Sequence, residues 1–228
     1  MEIFLIILSV LLAMFFIAVR VLKGGVWGLL TKTLASFTFL ATGVYALTVK
    51  SNYTVLFFVI LGLTCGLIGD VLLDLKVMYR QDSKKYLNAG MLSFGIGHIF
   101  YFIGILVFFT PSNVIIPILL SIAISIIISS IIMIVSKHLK LNFKGFYGQI
   151  FSYTLLLTFL TSFTIWLSVL NSALFVFAVG LLLFWLSDIV LSMMYFGGKE
   201  KDSLLCIVNH ALYYSAQISI VAFLLFSL

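Results

Sequence analysis

Residues 53–76 read YTVLFFVILGLTCGLIGDVLLDLK, an apolar run interrupted near its end by Asp70 and Asp74 and closed by Lys76. A hydrocarbon layer of about 30 Å takes about 20 helical residues to cross, and this run is long enough. A segment in lipid must satisfy its own backbone hydrogen bonds, so a run of this kind is a helix. Gly62, Gly66, Asp70 and Asp74 follow one another at four-residue spacing. One face of that helix is therefore a seam of small residues that ends in two carboxylates.

The rest of the chain repeats the pattern. Of its 228 residues 64% are apolar and 9% charged, too few polar side chains to cover a water-soluble globule. Short polar breaks separate apolar segments at 3–22, 26–49, 53–75, 89–109, 114–135, 146–167, 171–196 and 203–227. The expected fold class is all-α, a polytopic membrane bundle of eight transmembrane helices in one integral-membrane domain, 1–228. The first run is expected to be a retained helix and not a cleaved leader, because Glu2 precedes it and Arg20 and Lys23 follow it. Cys65 and Cys206 lie inside apolar runs and read as small core residues, not as a disulfide framework.

Basic residues assign the sides. Alternate breaks collect Arg20 and Lys23, then Lys76, Arg80, Lys84 and Lys85, then Lys137, Lys140 and Lys144, then Lys199 and Lys201, whereas the opposite breaks hold only Lys50. By the positive-inside rule these odd-numbered connections are expected in the cytoplasm and both termini on the far side. The expected location is a multi-pass membrane protein, in the plasma membrane for a bacterial host. The formal charge of +6 describes those connections and gives no reason to expect nucleic acid as a partner.

An ionisable group at mid-bilayer costs roughly 2.5 to 3.5 kcal/mol on insertion scales, so six side chains inside the crossings demand an explanation: Lys32, Asp70, Asp74, His98, Asp188 and His210. Each is expected in the half of its helix nearer the basic connections, which points to one polar cavity opening toward that side. Gly90, Ser93, Gly97, His98, Tyr101 and Gly104 form a polar and small-residue stripe on the fourth segment; Cys206, His210, Tyr213, Tyr214 and Gln217 form one on the eighth. Gly69-Asp70-Val71-Leu72-Leu73 is echoed by Ser187-Asp188-Ile189-Val190-Leu191, and His98-x-x-Tyr101 by His210-x-x-Tyr213. These short matches raise an internal repeat, 1–110 and 111–228, with the two aspartates facing each other near the centre.

Plainer roles exist for each. Asp74 suits an edge carboxylate paired with basic residues; Lys32 suits snorkelling toward the surface or compensation of an aspartate; a lone histidine suits a satisfied core position. The chain has no G-x-S-x-G, no H-E-x-x-H, no phosphate-binding glycine loop and no zinc-type Cys/His spacing, and neither a metal nor any other cofactor is expected. Two carboxyl groups sharing a low-dielectric site can retain one proton between them. That chemistry serves acetal-type cleavage, peptide hydrolysis by an aspartic dyad, or proton-coupled transport, and the residues alone leave these three. The protease signature is matched only loosely at Gly66-x-x-Gly69-Asp70. For a transporter, one expects Gly or Pro to break corresponding helices, but both prolines, Pro111 and Pro117, stand at the start of the fifth segment.

The set Gly69-Asp70-x-x-Leu73, Phe94-x-x-Gly97-His98-x-x-Tyr101, Phe184-x-x-Ser187-Asp188 and Tyr213-Tyr214-x-Ala216-Gln217, with Lys32 upstream, resembles the YhhN-like lysoplasmalogenase family of eight-helix membrane proteins over nearly the whole chain. The resemblance implies an ether hydrolase that cleaves the vinyl-ether bond of lysoplasmalogens, releasing a fatty aldehyde and glycerophosphoethanolamine or glycerophosphocholine. It implies Asp70 and Asp188 as the catalytic pair, with Lys32, Asp74, His98, Tyr101, Tyr213, Tyr214 and Gln217 lining a lysophospholipid site among membrane lipids. Lys32 would then hold the substrate phosphate. The chain departs from the family pattern at Thr33, where a proline is expected after the lysine, and His210 has no counterpart in it. Neither the physiological head group nor the oligomeric state follows from the resemblance.

Overall fold

A computed structural model describes residues 1–109, 114–143 and 145–228. Pro111, expected at the start of the fifth helix, and Lys144, expected in the third basic connection, lie outside the described residues. Eight helices follow in order: α1 (Glu2–Leu22), α2 (Gly25–Val49), α3 (Tyr53–Met78), α4 (Ser83–Phe108), α5 (Ile115–His138), α6 (Tyr147–Leu170), α7 (Phe175–Phe196) and α8 (Ser203–Phe226). Short 3₁₀ turns, Arg80–Asp82 and Ser172–Leu174, precede α4 and α7. All eight helices are long and apolar enough to cross a membrane, and no strand occurs among the described residues. The chain is an all-helical, multi-pass membrane protein.

The largest departure from expectation is at α4, which begins at Ser83 and not at residue 89. The intervening Ser83-Lys84-Lys85-Tyr86-Leu87-Asn88 contains no helix breaker. At 1.5 Å per residue α4 is about 39 Å long, more than a hydrocarbon core of about 30 Å, so its charged first turns extend beyond the apolar layer. His98 consequently stands about four turns into α4, past the middle of the helix and not in the half nearer the basic connections.

The helices form two compact units, Met1–Phe108 with Gln217–Leu228, and Phe109–Ala216. In the first, α1 packs on α2, α2 on α3 and α3 on α4. Ser9, Ala13 and Phe16 form the buried stripe of α1, while Ile3, Phe4, Ile7, Leu11 and Met14 are exposed where lipid would lie. Lipid is as apolar as leucine, so close packing must hold the helices together, and the α3–α4 contact is built on glycine. The ring of Tyr101 lies on Gly62, a β-carbon on Gly69 would stand 2.7 Å from the ring of Phe94, and Gly97 packs on Gly62 and Cys65. Ser93 Oγ donates across this seam to the Cys65 carbonyl at 2.7 Å.

In the second unit α5 packs on α6 and α6 on α7. The α5 face buries Pro117, Ser121, Ser125, Ser129 and Ser136. On α6, Thr158 accepts a hydrogen bond from Trp185 Nε1 of α7 at 2.9 Å. A reciprocal clamp ties α7 to α8: Asn209 Nδ2 donates to the Ser187 carbonyl at 2.8 Å and to Ser187 Oγ at 2.9 Å, and Ser187 Oγ donates to the Asn209 carbonyl at 3.1 Å.

Candidate functional site

In the first unit the four-residue spacing on α3 does what the sequence implied: Asp70 and Asp74 lie on one buried face, 2% and 5% exposed. Lys32 is equally buried, at 5%. Its Nζ lies 3.1 Å from Asp70 Oδ1 and 3.6 Å from Asp74 Oδ1. Of the roles open to Lys32, snorkelling is therefore excluded: the ammonium turns inward and bridges two carboxylates. A lysine stem is long enough to reach the surface, but two unpaired buried carboxylates would cost more than the lysine gains from water.

Two residues that sequence reasoning did not single out complete the network. Ser36, one turn along α2 from Lys32 and fully buried, donates from Oγ to Asp70 Oδ2 at 2.6 Å. Arg20, counted above as a connection residue, reaches in from the end of α1 so that Nη2 donates to Asp74 Oδ2. The result is a continuous chain, Arg20, Asp74, Lys32, Asp70, Ser36, leading from the basic edge inward. Measured from the start of α2, Ser36 lies about 16 Å along the helix, so the chain of polar contacts spans about half a bilayer. Two cations face two anions, and the cluster is formally neutral.

His98 and Tyr101 belong to the same unit and are 1% and 2% exposed. Asp70 lies at the level of Gly90 and Phe94, which pack at Gly69. His98 is thus about one turn deeper. Its Nδ1 donates to the Phe94 carbonyl at 2.7 Å, which orients the ring. The imidazole meets the Tyr101 ring edge-on, 5.8 Å between centroids. Gln217 is fully buried and belongs to this unit as well.

Asp188 belongs to the second unit. Its Oδ2 accepts a hydrogen bond from Tyr153 Oη at 2.6 Å, and the Ser187–Asn209 clamp holds the adjacent turn of α7. Tyr213 packs edge-on against Phe184 at 5.4 Å and against Tyr214 at 5.2 Å. His210 repeats the local bond of His98, with Nδ1 donating to the carbonyl four residues earlier, that of Cys206, at 2.7 Å. Tyr153 and Asn209 were not anticipated. One tyrosine among ten and one asparagine in an apolar helix carry no signal until their partners are known.

The two units share a local pattern. In each, an aspartate on the third helix of its half accepts a short hydrogen bond from a hydroxyl on the second, Ser36 at a separation of 34 residues and Tyr153 at 35. Among the described residues no group of three His, Cys, Asp or Glu side chains could hold a metal ion.

Eight helices long and apolar enough to cross a membrane, with two carboxylates buried on α3 and a half-buried one, Asp188, on α7, define a polytopic membrane protein. The YhhN family model matches residues 3–224, nearly the whole chain, and the chain belongs to the YhhN family. No curated protein matches it. No solved structure does either.

Proposed function

We propose that the chain is an intramembrane ether hydrolase that cleaves the vinyl-ether bond of a lysoplasmalogen, a lysophospholipid of the surrounding membrane, using Asp70 and Asp188. The observation that carries the reading is a fully buried, ion-paired carboxylate, Asp70, in a chain of the YhhN family; a second aspartate, Asp188, lies at a matching place in the other half. Such groups are costly in a membrane and are kept there for chemistry or for ion movement.

In this reading the two aspartates have different tasks: one, as the carboxylic acid, protonates the outer vinyl carbon, the C=C electron pair forming the new C–H bond, and the other, as the carboxylate, stabilises the resulting oxocarbenium ion. Water adds to the oxocarbenium carbon and its proton returns to a carboxylate. The hemiacetal then collapses, breaking the bond to the glyceryl oxygen and releasing aldehyde and alcohol. The family resemblance adds His98, Tyr101, Tyr213, Tyr214 and Gln217 as lipid-binding residues in this reading. The matching Ser36–Asp70 and Tyr153–Asp188 arrangements also support a duplication of four helices.

The test is aldehyde release from lysoplasmenylethanolamine by the purified protein in detergent, with an ester-linked lysophospholipid as control. The expected result is aldehyde from the vinyl ether alone, and loss of release by at least 100-fold in well-folded Asp70→Asn and Asp188→Asn, in line with the usual contribution of an acid or base of about 10² to 10⁴. Full turnover in both variants would overturn the assignment. No aldehyde from folded wild type, together with proton-coupled uptake of a lipid or small amphiphile into liposomes, would replace it with transport.

A further inference from the structure

The charge arrangement at the edge of the first unit separates two roles that the sequence combined in Lys32. An anion seeking Lys32 must displace two carboxylates, at 3.1 and 3.6 Å. Arg20 is placed differently. Its side chain runs back along α2, where Gly28 makes room for it: a β-carbon at Gly28 would stand 3.0 Å from Cζ and 3.1 Å from Nε. The guanidinium lies over the Phe16 ring, 5.3 Å from its centroid, and Nη2 donates to Asp74. Three contacts thus hold a group with five donors, and its Nε–H, although buried, has no acceptor among the described residues.

The surroundings say at what depth and charge a ligand would be met. Lys23 lies over the Trp27 ring at 5.6 Å, and both residues are exposed, an aromatic and cationic pair of the kind found at head-group level. The cluster of Arg20, Lys32, Asp70 and Asp74 is formally neutral, and Lys23, three residues after Arg20, adds an exposed positive charge on the same side. Guanidinium is well suited to phosphate oxygens, and an ammonium already shared between two carboxylates is not.

We propose that Arg20 is the phosphodiester-binding residue of this protein, its Nε–H edge donating to a non-bridging oxygen of a lysophospholipid head group while Asp74 acts as the positioning residue that holds the guanidinium. Lys32 is then reserved for Asp70. The identity of the lipid rests on the ether-hydrolase reading, but the site does not require turnover.

The experiment measures equilibrium binding to the purified, detergent-solubilised protein of two ester lipids with the same acyl chain, lysophosphatidylethanolamine and monoacylglycerol. Neither carries a vinyl ether, so the result is separate from whether the protein cleaves one. Arg20→Ala is expected to weaken binding of the lysophospholipid about 10-fold or more, the range of a charge-assisted hydrogen bond, and to leave monoacylglycerol unchanged. Arg20→Lys should restore part of the loss. Gly28→Ala keeps every polar group and crowds only the guanidinium, so it should weaken the lysophospholipid selectively and by a smaller factor; it also serves if Arg20→Ala fails to fold. Glycerophosphoethanolamine should compete with the lysophospholipid where inorganic phosphate at the same concentration does not. Equal losses for both lipids in Arg20→Ala and Gly28→Ala, unchanged lysophospholipid affinity in folded variants, or equal competition by inorganic phosphate would overturn the proposal.

Discussion

Replacing Lys32 by methionine keeps most of the side-chain volume and removes one charge from the middle of a buried chain of four. Asp74 keeps its ion pair with Arg20, whereas Asp70 loses the ammonium 3.1 Å away and keeps the Ser36 hydroxyl. Removing one partner of a buried ion pair costs about 3 to 5 kcal/mol, because the remaining charge is left in a low dielectric. At 5% and 2% exposure for Lys32 and Asp70, solvent can screen little of this, and the expected loss lies in that range. An exposed lysine would contribute less than about 1 kcal/mol. The penalty comes from a buried carboxylate that has lost its ammonium, so neutralising Asp70 as well should recover most of it. The assay is equilibrium unfolding in detergent on Lys32→Met, Asp70→Asn and the double variant, read as a double-mutant cycle. A loss below about 1 kcal/mol in Lys32→Met, or strictly additive single losses, would refute the ion-pair account.

The α3–α4 seam offers a steric test: in Gly62→Ala the new methyl group overlaps the Tyr101 ring, with an expected loss of about 1 to 3 kcal/mol in thermal unfolding, largely recovered when Tyr101→Val is added. At the second aspartate, Tyr153→Phe removes the donor to Asp188 without removing the ring; a loss of about 1 to 3 kcal/mol in stability or in transition-state binding is expected. In the proposed reaction it should lower kcat more than it raises KM, and unchanged kcat would detach Tyr153 from the chemistry.

The crossings were legible because the bilayer imposes a simple rule on each one separately. Every apolar run must be long enough to cross, and each break must carry the polar groups that cannot. The same rule explains the one large boundary error: Ser83 to Asn88 are too polar for hydrocarbon, yet nothing prevents them from being helical in water, so composition marked the edge of the apolar layer and not the end of α4. The face shared by Asp70 and Asp74 was legible for an equally local reason, since helical spacing aligns residues four apart whatever lies opposite.

Partners were a different matter. Lys32 admitted snorkelling, compensation and phosphate binding, and the choice depended on which helix α2 met and at what height. Arg20 read as a topological marker until the glycine turn after Lys23, where Gly24 and Gly25 both adopt positive φ, and the bare surface of Gly28 brought its guanidinium back to Asp74. Ser36 and Tyr153 are common residue types whose significance lies wholly in the carboxylates they face. From the sequence alone came the class of protein, the number of helices and the polar faces of the third, fourth and eighth, all set by local hydrophobicity and helical period. Which charges neutralise which was decided only when the helices packed, because ion pairing inside a membrane depends on distances between residues 38 or 54 positions apart in the chain, Lys32 to Asp70 and Arg20 to Asp74.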